Sequence, residues 1–279
     1  MEGLDFSPHR ARPWVEAVIA AVHKTAREEI VPRFMGVTQQ VKDDGTLFSE
    51  ADLASQRSLV ESLPRIVPCP VIGEEMSRNH QEIALTQGGG DVWCIDPIDG
   101  TTNFINGLPF FAVSVALLHN YRPWLGVTYN PMSNELFYAW EGGGAYLNGK
   151  PLPLRQVTQR IGEAVANVDL KRLDKPLAER IASAPPFYSH RNFGSSTLEW
   201  CQVAAGRVDA YLHGGQMLWD YAAGSLILKE AGGYMCTLAC DDFHQDKLWR
   251  RQVVAALNPT VFTAWRDWLR ANNPPPPQA

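Results

Sequence analysis

Val92-Trp93-Cys94-Ile95-Asp96-Pro97-Ile98-Asp99-Gly100-Thr101-Thr102-Asn103-Phe104 sets an apolar run against an abrupt polar end. Residues 92–95 are apolar types that fill a buried strand. Two aspartates, a proline and a glycine follow at once. A carboxylate at a strand end is held rigidly at a sheet edge, where a ligand can approach. Pro97 fixes φ and removes a backbone donor, so the chain is expected to turn sharply there. Asp96 and Asp99 can then face one point.

Two more acidic groups stand at the edges of apolar segments. Glu74 and Glu75 follow the short strand signal at 71–72, and Asp220 precedes a helical pattern over 221–231. Carboxylates that converge without basic partners repel one another. A hard divalent cation relieves that repulsion, and oxygen-only ligands suit magnesium, which also binds phosphate. Gly100-Thr101-Thr102 supplies what an anion needs: close backbone approach, successive N–H groups and a hydroxyl. A helix starting just beyond would add its positive end. Each feature also has a structural reading when taken singly. Asp-Pro and Asp-Gly are common turn pairs, and Asp220 could cap a helix.

Outward from this stretch, helical spacing covers 14–30, and a second amphipathic helix over 53–63 is expected to close at Pro64. Aromatic and β-branched runs at 110–118, 124–129 and 135–140, with turn signals between them, predict an antiparallel sheet across 110–155. After residue 160 the pattern alternates. Strands are expected at 164–168, 187–190, 208–212 and 252–257, with helices at 195–205, 221–231 and 261–269. The organisation expected is an α+β half over 1–155, which carries most of the acidic residues, and an α/β half over 156–271. The proline-rich tail over 272–279 is expected to be disordered.

The 279 residues are 45% apolar and 20% charged, as in globular proteins. A formal charge of −5 gives no basic footprint for nucleic acid. No apolar run is long enough to span a membrane and no secretory signal is visible, so a cytoplasmic location is expected. The five cysteines, odd in number and without C-x-x-C spacing, read as reduced thiols. None fits a C-x-x-x-x-x-R phosphatase loop, and no nucleotide-binding P-loop sequence occurs. His119, His190 and His244 lack partners at metal-site spacing and read as ordinary turn, strand-end and loop residues.

Gly73-Glu74-Glu75, the segment DPIDGTTNF at 96–104 and WDYAAG at 219–224 resemble the three signature motifs of the inositol monophosphatase superfamily. The resemblance runs over about 14–269. It implies a layered α-β-α-β-α fold of the inositol monophosphatase and fructose-1,6-bisphosphatase type. It implies hydrolysis of a small phosphate monoester with two to three Mg²⁺ ions. Glu74, Asp96 and the Ile98 carbonyl would hold one ion, and Asp96, Asp99 and Asp220 a second. A weaker third ion would also touch Glu74.

The resemblance gives Asp52 and Thr101 the task of activating water. It places substrate near Ser195, Ser196 and His213, beside the phosphate cradle read at Gly100 and Thr101. His213 stands where inositol-specific members carry a glutamate. Lys42 resembles the family's loop lysine, one residue closer to Asp52 than usual. Glu75 completes the acidic pair of the first motif. A small phosphorylated metabolite, a homodimer and lithium sensitivity are implied, with neither membrane nor nucleic acid as partner. Fructose 1,6-bisphosphate, 3′-phosphoadenosine 5′-phosphate and histidinol phosphate are alternative substrates. A regulatory relative that binds RNA or the transcription machinery is the alternative class.

Overall fold

The computed structural model describes residues 5–36, 40–41, 47–245 and 247–273. Lys42 lies outside the described residues, as do 274–279 of the proline-rich tail.

Helix α1 (Pro8–Thr25) starts with proline in its first turn, where no intrahelical donor is needed. Val15, Val18 and Val22 recur at helical spacing and are buried. The helical path continues through a π turn at Ala26–Ile30. Short strands β1 (Gln40–Val41) and β2 (Leu47–Phe48) pair antiparallel. Helix α2 (Glu50–Ile66) opens on a capping box of Ser49 and Asp52. It buries Ala51, Ser55, Leu59 and Leu63 at i, i+4 spacing. Pro64 does not close it. The proline falls in the last turn, and the Val60 carbonyl that loses its donor belongs to an exposed residue.

The first sheet has seven strands. Strand β3 (Val71–Gly73) is followed by helix α3 (Arg78–Gly88), and β4 (Val92–Asp99) by the short α4 (Thr101–Ile105). Then come β5 (Ala112–His119), β6 (Arg122–Asn130), β7 (Glu135–Trp140), β8 (Gly144–Leu147) and β9 (Lys150–Pro151). They pair in sequence order, antiparallel except for parallel β3 and β4. Both faces are covered, so β4 and β5 read as continuous apolar runs rather than alternating ones.

The second sheet comprises β10 (Val165–Asp169), β11 (Ser189–Arg191), β12 (Ala210–Met217), β13 (Tyr234–Cys236) and β14 (Arg250–Ala256), in the order β11-β10-β12-β14-β13. Helices α5 (Lys175–Ser183), α6 (Ser196–Ala204), α7 (Leu218–Glu230) and α8 (Pro259–Asn272) intervene. Helix α8 takes in Ala271 and Asn272, so the helix reaches further than the sequence suggested.

The elements stack in five layers. Helices α1 and α2 cover the outer face of the first sheet. Helices α6 and α7 fill the space between the sheets, and α5 and α8 cover the outer face of the second. This is the α-β-α-β-α sandwich expected. Helix α7 is apolar all round because it is buried all round. A Cβ at Gly126 of β6 would lie 3.0 Å from the Ala223 Cα, so glycine lets the helix sit down on the sheet. None of the described helices is long and apolar enough to cross a membrane. All five cysteines are free thiols.

Candidate active site

Strand pairing explains how Asp96 and Asp99 come to share a face. Residues three apart on a regular strand point to opposite sides. Here Asp96 pairs with Ser114 and Asp99 with Ala112, so three steps on β4 match two on β5. The extra residue is a β-bulge, which restores both carboxylates to one side. Pro97 therefore sits in a bulged strand, not in the sharp turn expected. The Ser55 hydroxyl on α2 donates to the Pro97 carbonyl at 2.8 Å and pins the bulge.

Asp99 is held by four donors. Ser195 Oγ lies 2.5 Å from Oδ2, and the Thr197 N–H and hydroxyl each lie 2.7 Å from the same oxygen. The Ser196 N–H reaches Oδ1 at 3.2 Å. These groups form the start of α6, so a helix N-terminus faces the carboxylate. Ser195 and Ser196, expected near substrate, thus spend these donors on Asp99. Thr197 closes the run Gly194-Ser195-Ser196-Thr197, which resembles the family's substrate-lining segment, and it too serves Asp99; Asn103 was given no role from sequence. Asn103 Nδ2 donates at 2.7 Å to both the Phe110 and Phe193 carbonyls, joining α4 to the loop before α6. The run Gly194-Ser195-Ser196-Thr197 was the available signal: a hydroxyl cluster at a helix start.

Asp220 lies inside α7, at its third position, not ahead of it. Its Oδ2 accepts the Met217 N–H at 2.8 Å, which leaves Oδ1 free to turn elsewhere. Oxygens of Asp96, Asp99 and Asp220 all lie within 4.8 Å of one another. Glu74, half-buried at the end of β3, adds its charge to the group. The Glu75 N–H donates to Gln56 Oε1 at 3.0 Å.

Across the cluster, Thr101 Oγ1 stands 3.2 Å from Asp52 Oδ1 and 3.0 Å from the Ile98 carbonyl. Asp52 Oδ2 accepts the Ser49 N–H at 2.8 Å and the Ser49 hydroxyl at 2.7 Å, so the carboxylate is fixed in place. Gly100 precedes α4 with φ 89°. A Cβ there would lie 3.1 Å from the Gly194 carbonyl oxygen. Only glycine fits both the angle and the space. His213, on β12, is buried; its Nδ1 accepts the Gly215 N–H at 3.1 Å, so Nε2 carries the proton, 3.6 Å from Asp169 Oδ2. Burial holds this imidazole down to about 4, despite the nearby Asp169 charge.

Burial and mutual repulsion dominate the electrostatics. Desolvation, then the charges of Glu74, Asp99, Asp220 and Asp52, hold the Asp96 carboxyl well above its usual range. Burial does the same for Asp220, reinforced by Asp99 and Glu74. Asp99 is also raised by burial, against the pull of its donors. Asp96 Oδ1 is buried and has no hydrogen-bond partner among the described residues. An orphaned carboxylate oxygen beside two more carboxylates fits a hard divalent cation.

A model of the inositol monophosphatase family matches residues 11–267. The chain belongs to the inositol monophosphatase family. Within this family it is similar to an inositol-1-monophosphatase of Bacillus subtilis (strain 168), 29% identical over 94% of this chain and 96% of that one. It is also similar to the Nus factor SuhB of Pasteurella multocida (strain Pm70), 36% identical over 70% of this chain and 73% of the relative. Among solved structures, a Thermotoga maritima IMPase superposes with a TM-score of 0.78, at 27% identity over 92% of this chain and 96% of the other. The inositol monophosphatase fold and the layered architecture agree.

Proposed function

We propose that this chain is a magnesium-dependent phosphatase that hydrolyses a small phosphate monoester. One observation carries the reading: the buried carboxylates of Asp96 and Asp99 and the half-buried one of Asp220 bring oxygens within 4.8 Å of one another, and Asp96 Oδ1 has no partner among the described residues. Glu74, Asp96, Asp99, Asp220 and the Ile98 carbonyl would hold two to three Mg²⁺ ions. Such ions supply charge neutralisation for the phosphoryl group and acidify water.

The chain's own residues do the rest. Thr101 has one hydroxyl hydrogen; given to Asp52, it leaves lone pairs to accept from a water. Asp52, fixed by Ser49, receives the proton that this water loses through Thr101. Backbone N–H groups at Gly100 and Thr101 receive phosphate oxygens. The Asp99 clamp from Ser195 to Thr197 keeps that ligand from turning. Lithium inhibition, a homodimer and a cytoplasmic location go with this reading. The test is a screen against a panel of phosphomonoesters with magnesium and with chelator. Hydrolysis of none of them would sink it.

The SuhB relatives favour a second reading, a partner role in transcription. Tight, salt-sensitive binding to RNA or to transcription proteins, without phosphatase turnover, would select it. The complete acidic set favours the enzyme.

A further inference from the structure

We infer that Glu199 is a positioning residue that sets two of the metal ligands at once, although it touches neither. The inference rests on the phosphatase reading's assignment of Asp99 and Asp220 as ligands. Glu199 is 3% exposed, on α6. Its Oε1 accepts the N–H groups of Phe193 and Gly194, each at 3.0 Å. These two residues lead directly into Ser195, Ser196 and Thr197, which supply the four donors that hold Asp99. Their carbonyls also face Asn103 Nδ2. The loop that holds Asp99 is therefore itself held by Glu199.

The other oxygen reaches the second ligand. Glu199 Oε2 accepts the Tyr211 hydroxyl at 2.9 Å. That hydroxyl accepts Gln216 Nε2 at 2.5 Å, and Gln216 Oε1 accepts Trp200 Nε1 at 2.8 Å. Gln216 is completely buried on β12. The next residue is Met217, whose N–H fixes Asp220 Oδ2. One buried chain of side chains thus runs from the loop behind Asp99 to the strand end before Asp220.

The chemistry at position 199 is specific. The Phe193 and Gly194 N–H groups and the Tyr211 hydroxyl all donate to the side chain, and a carboxylate accepts them all. An amide keeps the two backbone donors on its oxygen but turns an NH₂ group toward the Tyr211 hydroxyl. The Tyr211 hydroxyl then loses the acceptor of its proton and must turn, which weakens the link toward Gln216. Loss of a partner that orients metal ligands costs roughly 10- to 100-fold in metal affinity or activity.

The experiment titrates Mg²⁺ calorimetrically into the full chain and into Glu199→Gln, Tyr211→Phe and Ile181→Ala. Ile181 packs in the outer core between α5, α8 and the second sheet, away from this network. Glu199→Gln is expected to weaken magnesium binding roughly 10- to 100-fold. Tyr211→Phe should move it in the same direction by less. At saturating magnesium, kcat should stay within about threefold, because the reacting groups are intact. Ile181→Ala should lower Tm with magnesium affinity unchanged.

A folded Glu199→Gln protein with wild-type magnesium affinity overturns the proposal. So does an equal loss in Ile181→Ala, which would mean general destabilisation. If Glu199→Gln does not fold, Tyr211→Phe decides by the same criterion. A wild-type chain that binds magnesium but hydrolyses no ester sinks the phosphatase reading alone, and the calorimetric comparison still decides this one. A wild-type chain that binds no magnesium overturns both.

Discussion

Thr101 Oγ1 stands 3.2 Å from Asp52 Oδ1, although 49 residues separate them in the chain. The contact joins the start of α4 to the first turn of α2. In the proposed mechanism it would give a water on the Thr101 side a route for its proton.

Asp52→Asn should lower kcat by at least about 100-fold with KM little changed, because the lost interaction acts in the transition state. The amide also disturbs the capping box with Ser49, at a cost of about 1 kcal/mol. Steady-state kinetics with a parallel urea melt separates the two effects. A change in KM alone would move Asp52 to substrate binding.

Asp99→Asn should remove the response to magnesium. Added Mg²⁺ should raise the Tm of the wild type by mass action and leave the variant's unchanged. Turnover should fall at least about 100-fold, and chelator should abolish it in the wild type. Differential scanning fluorimetry with and without chelator reads the first effect. A variant that keeps near-normal turnover at saturating magnesium would exclude the two-metal assignment.

Gly100→Ala tests the approach of two loops. Alanine at φ 89° strains the backbone, and its Cβ would press on the Gly194 and Phe110 carbonyl oxygens. The expected loss is about 1–3 kcal/mol of stability, with reduced activity from the displaced Asp99 clamp. Denaturant unfolding measures the first part. An unchanged midpoint would show that the two loops separate at no cost.

His213 makes a pH prediction with a definite sign. Burial holds its folded value down to about 4, below the ordinary 6.5 of an unfolded chain. The unfolded state therefore takes up the proton first. The stabilisation is complete above pH 6.5 and is lost as pH falls through about 4. It amounts to about 3 kcal/mol at most. His244 is held down to about 4 by burial as well, so it tilts the wild-type profile the same way. His213→Gln isolates one share: with chelator present, its urea midpoint should fall less than the wild type's between pH 7 and pH 4.5. Parallel profiles would show that His213 titrates as freely folded as unfolded.

Much of the site could be read from sequence because its acids end apolar runs. Asp96, Asp99 and Asp220 each carry that mark, and the structure brings them together. The bulge could not be read. Pro97 suggested a turn, but a bulge is defined by the partner strand, and nothing in 96–99 says that β5 continues past it. Helix α7 starts three residues earlier than the pattern suggested, because Leu218 and Trp219 look like the end of a strand. Helix α3 escaped notice because only Gln81 and Ala84 are buried on it, so its sequence lacks an apolar stripe. Helix α5 buries Leu177 and Ile181 alone, too few to stand out. The role of Ser195 and Ser196 was hidden for a different reason: a hydroxyl that faces a pocket and one that faces a buried carboxylate look alike in sequence, and Ser196 reaches Asp99 through a backbone N–H that any residue would supply.

The donors that hold Asp99 come from 96 to 98 residues further along the chain. During synthesis at about 5–20 residues per second, roughly 5–20 s pass between the emergence of Asp99 and that of its clamp. Asp220 follows later still. For that interval the nascent first sheet carries carboxylates that repel one another and have no hydroxyls to steady them. A ribosome-bound chain stopped before Ser195 should therefore capture no magnesium at this point, and the site closes only when α6 and α7 dock.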